Sequence, residues 1–376
     1  MIKCKLPLLI LCVIMISLSG CGLYDKPDST PEPKQEIVFA IQKDYTGVYA
    51  DIAQKFSEQS PATNIKLIEL AEGGVEYHRM LSSVITGKEV RVDICMVEDI
   101  WMDEFIKGGY IKPIDLPQET ELEDYPAGIR SSVAKSGKVY AVPYELDVGV
   151  MYYRNDVYIA DSVPTYGSVS ECVIDQSDGE DRVCRVLELS NYTGSISEGL
   201  RLYKRLLNSN HNMNFSDFKN GNAYAAMSST VSFREILNGF SKVAGKVSVT
   251  EVSDEANMAP LARLYSVAVS NSTLYDDNVK EFMDYLCRES THSALLRARG
   301  TVPVKYAQFE DPMILDSSVT NKDLVNHIDD IRFRVQRSDY TLASLKAQEA
   351  LVRYLEDDNE YENAIEAFEA LQIPAK

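Results

Sequence analysis

Tryptophan is almost missing from this chain: 376 residues hold one, Trp101. Histidine is scarce as well, and His78, His211, His292 and His327 are scattered without the spacing of a metal site. There is no H-E-x-x-H pair, no G-x-S-x-G elbow, no P-loop and no G-x-G-x-x-G turn. The local signatures of zinc hydrolysis, serine nucleophiles and nucleotide binding are therefore lacking, and nothing favours an enzyme, a catalytic residue, a cofactor or a metal. Basic residues are also few, 38 against 57 acidic ones, for a net charge of −19. A surface of that sign repels phosphate backbones, so nucleic acid is not expected as a partner.

Long apolar runs are confined to the amino end. Lys3 and Lys5 precede the run Leu6–Leu18, which closes on Leu18-Ser19-Gly20-Cys21. A basic start, a short apolar stretch and small residues make a secretory leader, too short for a comfortable membrane span. Leu-Ser-Gly-Cys resembles the bacterial lipobox, whose cysteine is acylated and becomes the mature terminus; that implies lipidation at Cys21 and anchoring in the lipid bilayer. Removing Lys3 and Lys5 with the leader leaves 36 basic residues against 57 acidic ones, a charge of −21. Residues 22–36, with Pro27, Pro31 and Pro33 among polar side chains, read as a tether. In extended form it could reach roughly 40 Å from the bilayer.

The remainder is long enough for two lobes. Strand and helix alternate: Ile37–Ile41 is an apolar strand, and Val48, Tyr49, Ile52, Ala53 and Phe56 are spaced for a helix that stops at Ser60-Pro61. Ile65–Leu70 and Val92–Val97 are further strands, and a helix runs from Ile100 to Lys107. This order predicts a doubly wound α/β sheet, with ligand beyond the carboxyl ends of strands, at loops 42–46, 71–77 and 98–101. Cys95 and Cys287 fall at apolar positions and read as buried thiols. Cys172 and Cys184 flank the turn signal Ser177-Asp178-Gly179; they could pair across a hairpin as a disulfide or remain free.

Within Gly137–Asp156, two runs rich in β-branched and aromatic residues, Val139–Val142 and Val148–Tyr153, flank Pro143, Tyr144, Glu145 and Asp147. Proline should end the first strand near Val142 and leave those polar residues on an irregular link. The pattern G-x-x-Y-x-V-P, a polar residue and then G-x-x-Y-Y resembles the lobe-crossing segment of carbohydrate-type bacterial extracellular solute-binding proteins, the lipoprotein receptors of ABC importers. The stretch from Val92-Asp93-Ile94 through Trp101 to Gly109-Tyr110-Ile111-Lys112-Pro113-Ile114-Asp115 is similar to a second signature of that family, with Val92 in place of its proline. Phe218–Met227 resembles its F-x-x-G-x-A-A-M segment with one residue inserted, and Gly300–Val304 its G-x-x-P-V loop.

The resemblance implies a two-lobed, periplasmic-binding-protein-like fold of the maltose-binding type. Lobe 1 would be 37–146 with 262–310, and lobe 2 would be 147–261 with 311–376. It implies a monomeric, membrane-anchored receptor on the extracellular or periplasmic side that hands a small solute, a sugar first of all, to ABC permease subunits. The alternative is a receptor-like lipoprotein that has lost transport and serves as a sensor or surface module. A sugar site needs aromatic faces and hydrogen-bonding carboxylates. Asp147 is the first candidate on this basis, since related receptors place an acidic residue there. Trp101 either stacks on ligand or, four residues before Phe105, joins the core. Glu98 and Asp99 either bond ligand or cap the following helix. Asp44, Tyr45, Tyr77, Tyr144, Glu145, Ser229 and Phe233 complete the candidate set by position. Phe233 stands where the family often has a tryptophan, and Ala259-Pro260-Leu261-Ala262 where it has a glycine pair.

Overall fold

Apolar runs of strand length and helical stripes of apolar residues assemble into one mixed sheet with helices on its faces. The computed structural model describes residues 33–374 apart from 88–89, 119, 159–163, 170–171, 176–178, 210–212, 251–259 and 316–327. The leader, Cys21 and the tether up to residue 32 lie outside the described residues. None of the described helices is long and apolar enough to cross a membrane.

Strand β1 (Gln35–Ile41) buries its last five residues and pairs in parallel with β2 (Thr63–Glu69) and β3 (Ile94–Glu98). Between them, α1 (Val48–Gln59) buries the expected stripe of Val48, Tyr49, Ile52, Ala53 and Phe56. Val48, Ile52 and Phe56 each contribute about 1.5–3 kcal/mol on burial, and the Ala53 methyl about 0.8. Pro61 disfavours helical backbone at Ser60, which turns extended and ends α1. Helix α2 (Gly74–Thr86) follows β2, and α3 (Met102–Lys107) follows β3 after a short 3-10 turn.

Downstream come β4 (Ala141–Arg154), β5 (Cys172–Ile174), α4 (Gly179–Thr193), α5 (Ile196–Ser209), β6 (Ala225–Ser229), α6 (Phe233–Leu237), β7 (Val247–Thr250) and β8 (Leu261–Val269). Then follow α7 (Asp276–Cys287), α8 (Glu289–Arg299), β9 (Arg332–Phe333), α9 (Tyr340–Glu356) and α10 (Tyr361–Leu371). The sheet runs β2-β1-β3-β8-β4-β6-β5, with β9 beside β8 and β7 beside β4. Helices α7 and α8 pack on α1 beside β1, at one end of the sheet, and α9 and α10 pack on α4 and α5 at the other.

Two antiparallel strands join the lobes. β4 pairs with β8 over Ala141–Val148 and with β6 over Gly149–Tyr153, while β8 also pairs with β3. Pro143 does not end a strand, contrary to expectation: β4 is continuous for 14 residues. Two features admit the proline. The register shifts between Tyr265 and Ser266, so that Glu145 faces Tyr265 and Pro143 faces Ser266 with Tyr144 bulged between them. On its other edge β4 meets no partner among the described residues before the isolated bridge of Leu146 to Val302, so the missing N–H breaks no ladder there.

A large core fills the body of the molecule, and a smaller one around Val150, Tyr152, Phe218 and Ile236 lies under β6. Ala364, Phe368 and Leu371 of α10 are buried, as their spacing predicts. Cys95 and Cys287 are buried thiols. The hairpin disulfide is corrected: Cys172 lies on β5 and Cys184 inside α4, and both are free and buried. The chain after Ile174 enters a helix instead of a return strand, so the two residues do not face across a ladder. Burial pushes both thiols up to about 12.

Candidate functional site

A cavity of about 580 Å³ opens between the lobes. From the first lobe it is lined by the loops after β1 and β2, including Gln42, Lys43, Tyr45 and Glu72. From the second come Asp175 at the end of β5, Ser228 and Ser229 at the end of β6, and Arg234 on α6. The crossing strands supply Asp147, Arg263 and Tyr265 as its floor. Carboxyl ends of strands thus form the cleft, as expected for an open α/β sheet.

Three of the candidate residues line it: Asp147, Tyr45 and Ser229. Asp147 is 3% exposed. Its Oδ1 accepts from the Thr230 hydroxyl at 3.1 Å and the Val231 amide at 3.2 Å. These bonds bind the crossing strand to the first turn after β6, so the carboxylate enters the cleft at a fixed orientation. Tyr45 is 70% exposed at the lip, with the Lys43 ammonium 4.7 Å above its ring.

The other candidates lie outside its lining, and all but the half-buried Phe233 are buried. Trp101 is 1% exposed and packs on Tyr77 and His78, whose ring centroids lie 6.1 and 5.1 Å away. Tyr77 is equally buried, and its hydroxyl donates to the Met96 carbonyl at 2.7 Å. Loop 98–101 fails to reach the cleft because β8 pairs alongside β3 and covers its end. Glu98 is instead paired with the buried Arg334, and the Asp99 carboxylate accepts from the Leu264 amide at 3.0 Å. Burial raises the Asp99 pKa to about 7, against the pull of Arg334.

Tyr144, on the bulge, stacks on His292 at 4.5 Å in the core. His292 donates from Nε2 to the Tyr144 carbonyl at 2.6 Å and accepts at Nδ1 from Gln308 at 2.8 Å; burial lowers its pKa to about 4. Glu145 accepts from the Tyr49 hydroxyl and from Arg299 Nε at 2.6 Å. Asp44 accepts from the Thr46 amide at 2.9 Å and, in the first turn of α1, from the Tyr49 amide at 3.1 Å, and it receives Arg299 at 3.3 Å. Burial works to raise its pKa, but these bonds outweigh it and hold the carboxyl below its ordinary value. Phe233 packs against the smaller core.

Several lining residues escaped the sequence reading. Arg263 pairs with Asp181 and sits opposite Asp147 in the ladder. Arg185 bonds Glu188 at 2.5 Å and also the Ser228 carbonyl. Burial raises Glu188 to about 7 despite that arginine. Glu188 also crowds Gly149 of the crossing strand, where an added Cβ would lie 2.0 Å from its Oε1. The Ser228 hydroxyl donates to Asp175 at 2.7 Å, and burial raises the Asp175 pKa. Alternation of Arg263 and Tyr265 with Ala262 and Leu264 is a period-two signal that could have identified the floor. The described residues contain no cluster of side chains suited to a metal ion.

Residues 40–163 match the family described as bacterial extracellular solute-binding protein. A maltose-bound MalE3 of T. maritima superposes with a TM-score of 0.76 at 18% identity, over 89% of this chain and 97% of that one. The GacH receptor of Streptomyces glaucescens, studied with acarbose, gives 0.75 at 15% identity over 91% and 99%. An ABC transporter solute-binding protein of Agrobacterium radiobacter K84, in complex with ribitol, gives 0.72 at 16% over 90% and 98%.

This chain has the solute-binding-protein fold.

The family matched over residues 40–163 is one of solute-binding proteins, and the neighbours compared are a maltose-bound protein, a receptor and a solute-binding protein. In such a two-lobed fold the crossing strands β4 and β8 are the elements that a hinge motion would bend, and they are also the floor of the cleft. What this cleft can do follows from its lining. It offers two tyrosines, several carboxylates and arginines, and serine hydroxyls, a surface for hydrogen bonding to a polar solute, with no tryptophan platform.

Proposed function

We propose that this chain is a lipid-anchored extracytoplasmic receptor that captures a hydroxyl-rich solute, an oligosaccharide first of all, and delivers it to the permease of an ABC importer. The observation that carries the reading is the cleft of about 580 Å³ with loops of both lobes on its walls and Asp147 on its floor. A volume of that size suits a small ligand. Lobe closure driven by a solute requires contacts on both sides, since only differential affinity shifts the balance of open and closed states. Gln42 and Tyr45 on one wall and Ser229 and Arg234 on the other meet that requirement. The maltose, acarbose and ribitol complexes of its structural neighbours support a polyhydroxylated ligand.

The lobes would comprise 37–146 with 262–310 and 147–261 with 311–376, in a monomer. Acylation of Cys21 would hold it at the outer face of the membrane, and the basic, apolar and lipobox sequence of the leader supports this. Isothermal titration of the chain lacking residues 1–21 against saccharides and polyols tests the binding reading. A saturable heat, weakened at least tenfold in Asp147→Ala, is expected; no binding across the panel refutes it. Labelling of cells with a palmitate analogue tests the anchor, and equal labelling of Cys21→Ser would refute it.

A further inference from the structure

Four arginines line the cleft, and they are not equivalent. Arg185 is paired with Glu188, Arg263 with Asp181, and Arg299 with Glu145 and Asp44. Arg234, in the first turn of α6, has no ion pair and no hydrogen-bond partner among the described residues, and its Nε is buried without an acceptor. The Nε of Arg185 is likewise buried and unpartnered, on a side chain only 3% exposed. Across the cleft the Gln42 Nε2 is a third such donor. Every unfilled buried polar atom of the described lining is therefore a donor, and donors stand on both walls. Lys43 adds a cation at the lip, over the Tyr45 ring.

Carboxylates are present too, but most are occupied. Asp147 is held by Thr230 and Val231, Asp175 by Ser228, Asp181 by Arg263, Glu76 by Arg79 and Glu235 by Lys219. Glu72 is exposed at the rim. A neutral sugar hydroxyl both donates and accepts, so it fits donors left vacant on both walls less well than an acceptor-only group does. A carboxylate accepts at two oxygens and matches the planar fork of a guanidinium.

From this we infer that the solute is an acidic saccharide, and that Arg234 is the specificity-determining residue that receives its carboxylate. The inference rests on the receptor reading and narrows it. The neutral hydroxyls lie against Asp147 and Ser229, and the carboxylate lies toward Arg234, with Arg185 behind it. The crowded acidic surroundings favour a singly charged group over a sulfate ester array.

The test is titration of the full mature chain with uronic-acid oligosaccharides, each paired with the neutral oligosaccharide of the same linkage and with a sulfated one. Acidic members are expected to bind at least tenfold more tightly than their neutral partners. That ratio should fall below threefold in Arg234→Gln and recover in part in Arg234→Lys, with melting curves confirming that both variants fold. Added salt should weaken acidic binding alone. Neutral members binding as tightly as acidic ones, or an unaltered ratio in Arg234→Gln, overturns the inference while leaving the receptor reading intact. Preference for the sulfated members overturns the carboxylate assignment. Binding of none of the three sets overturns both.

Discussion

Replacing Arg334 with methionine should destabilise the fold by about 3–5 kcal/mol, the usual consequence of removing one partner from a buried ion pair. The guanidinium is fully buried between Glu98 at the end of β3 and Glu180 on α4, and so links the two lobes. Its loss would not affect the two carboxylates equally. Glu180 keeps the Tyr340 hydroxyl at 2.6 Å and the Ser344 hydroxyl. Glu98, 2% exposed, accepts a hydrogen bond only from Arg334 among the described residues. The uncompensated charge therefore resides at Glu98. Adding Glu98→Gln to Arg334→Met should recover on the order of 1–3 kcal/mol, and adding Glu180→Gln should recover less. Urea unfolding at pH 7.5 measures all three variants. A loss under about 0.5 kcal/mol in Arg334→Met, or a larger rescue from Glu180→Gln than from Glu98→Gln, would refute this reasoning.

Other consequences can be checked in the same way. Gly149→Ala drives a methyl into the Glu188 carboxyl, 2.0 Å from Oε1 by ideal geometry, and should cost about 1–3 kcal/mol in urea; combined with Glu188→Ala the two losses should fall short of their sum. Asp99 has a folded pKa of about 7, above the ordinary aspartate value of 3.8, so the fold keeps a proton that the unfolded chain releases between those values. That stabilisation is complete below about pH 4 and is lost as pH rises through 7, so the stability of Asp99→Asn relative to wild type should rise over that window by about 1–4 kcal/mol and then level off; a constant difference from pH 4.5 to 8 would refute it. His292, lowered to about 4 by burial, acts oppositely and cancels in that comparison. Trp101 emission should be blue and barely quenched by iodide, because the ring is 1% exposed beneath Tyr77; strong quenching would place it at the surface instead.

The sequence made the layer order legible because each element carries its own signal. The helix stripe of α1 and the apolar run of β1 are local patterns, and they fold as their spacing requires. The site was less legible for reasons that are not local. Glu98 ends β3 and Trp101 stands just beyond it, where ligands usually sit, but β8, far downstream in the chain, pairs through Tyr265 with Glu98 and covers them. Pro143 looked like a terminator because a single sequence does not show that the neighbouring edge of β4 is empty at that point. Arg185 carries no sequence signal, because the apolar positions of α4 are interrupted by buried charges at Arg185 and Glu188 that only their mutual pairing allows. Asp147 is named by the family resemblance, and it lines the cleft although the irregular link expected around it is continuous strand.

Hydrogen–deuterium exchange of the mature chain, with and without the tightest saccharide found by titration, is the most direct measurement of a solute held between the lobes. Slower exchange is expected together in residues 42–46 and 71–76 of one wall and 228–235 of the other, with little change in the outer helices α7 and α10. Protection confined to one wall, or concentrated away from Asp147, would contradict capture in this cleft.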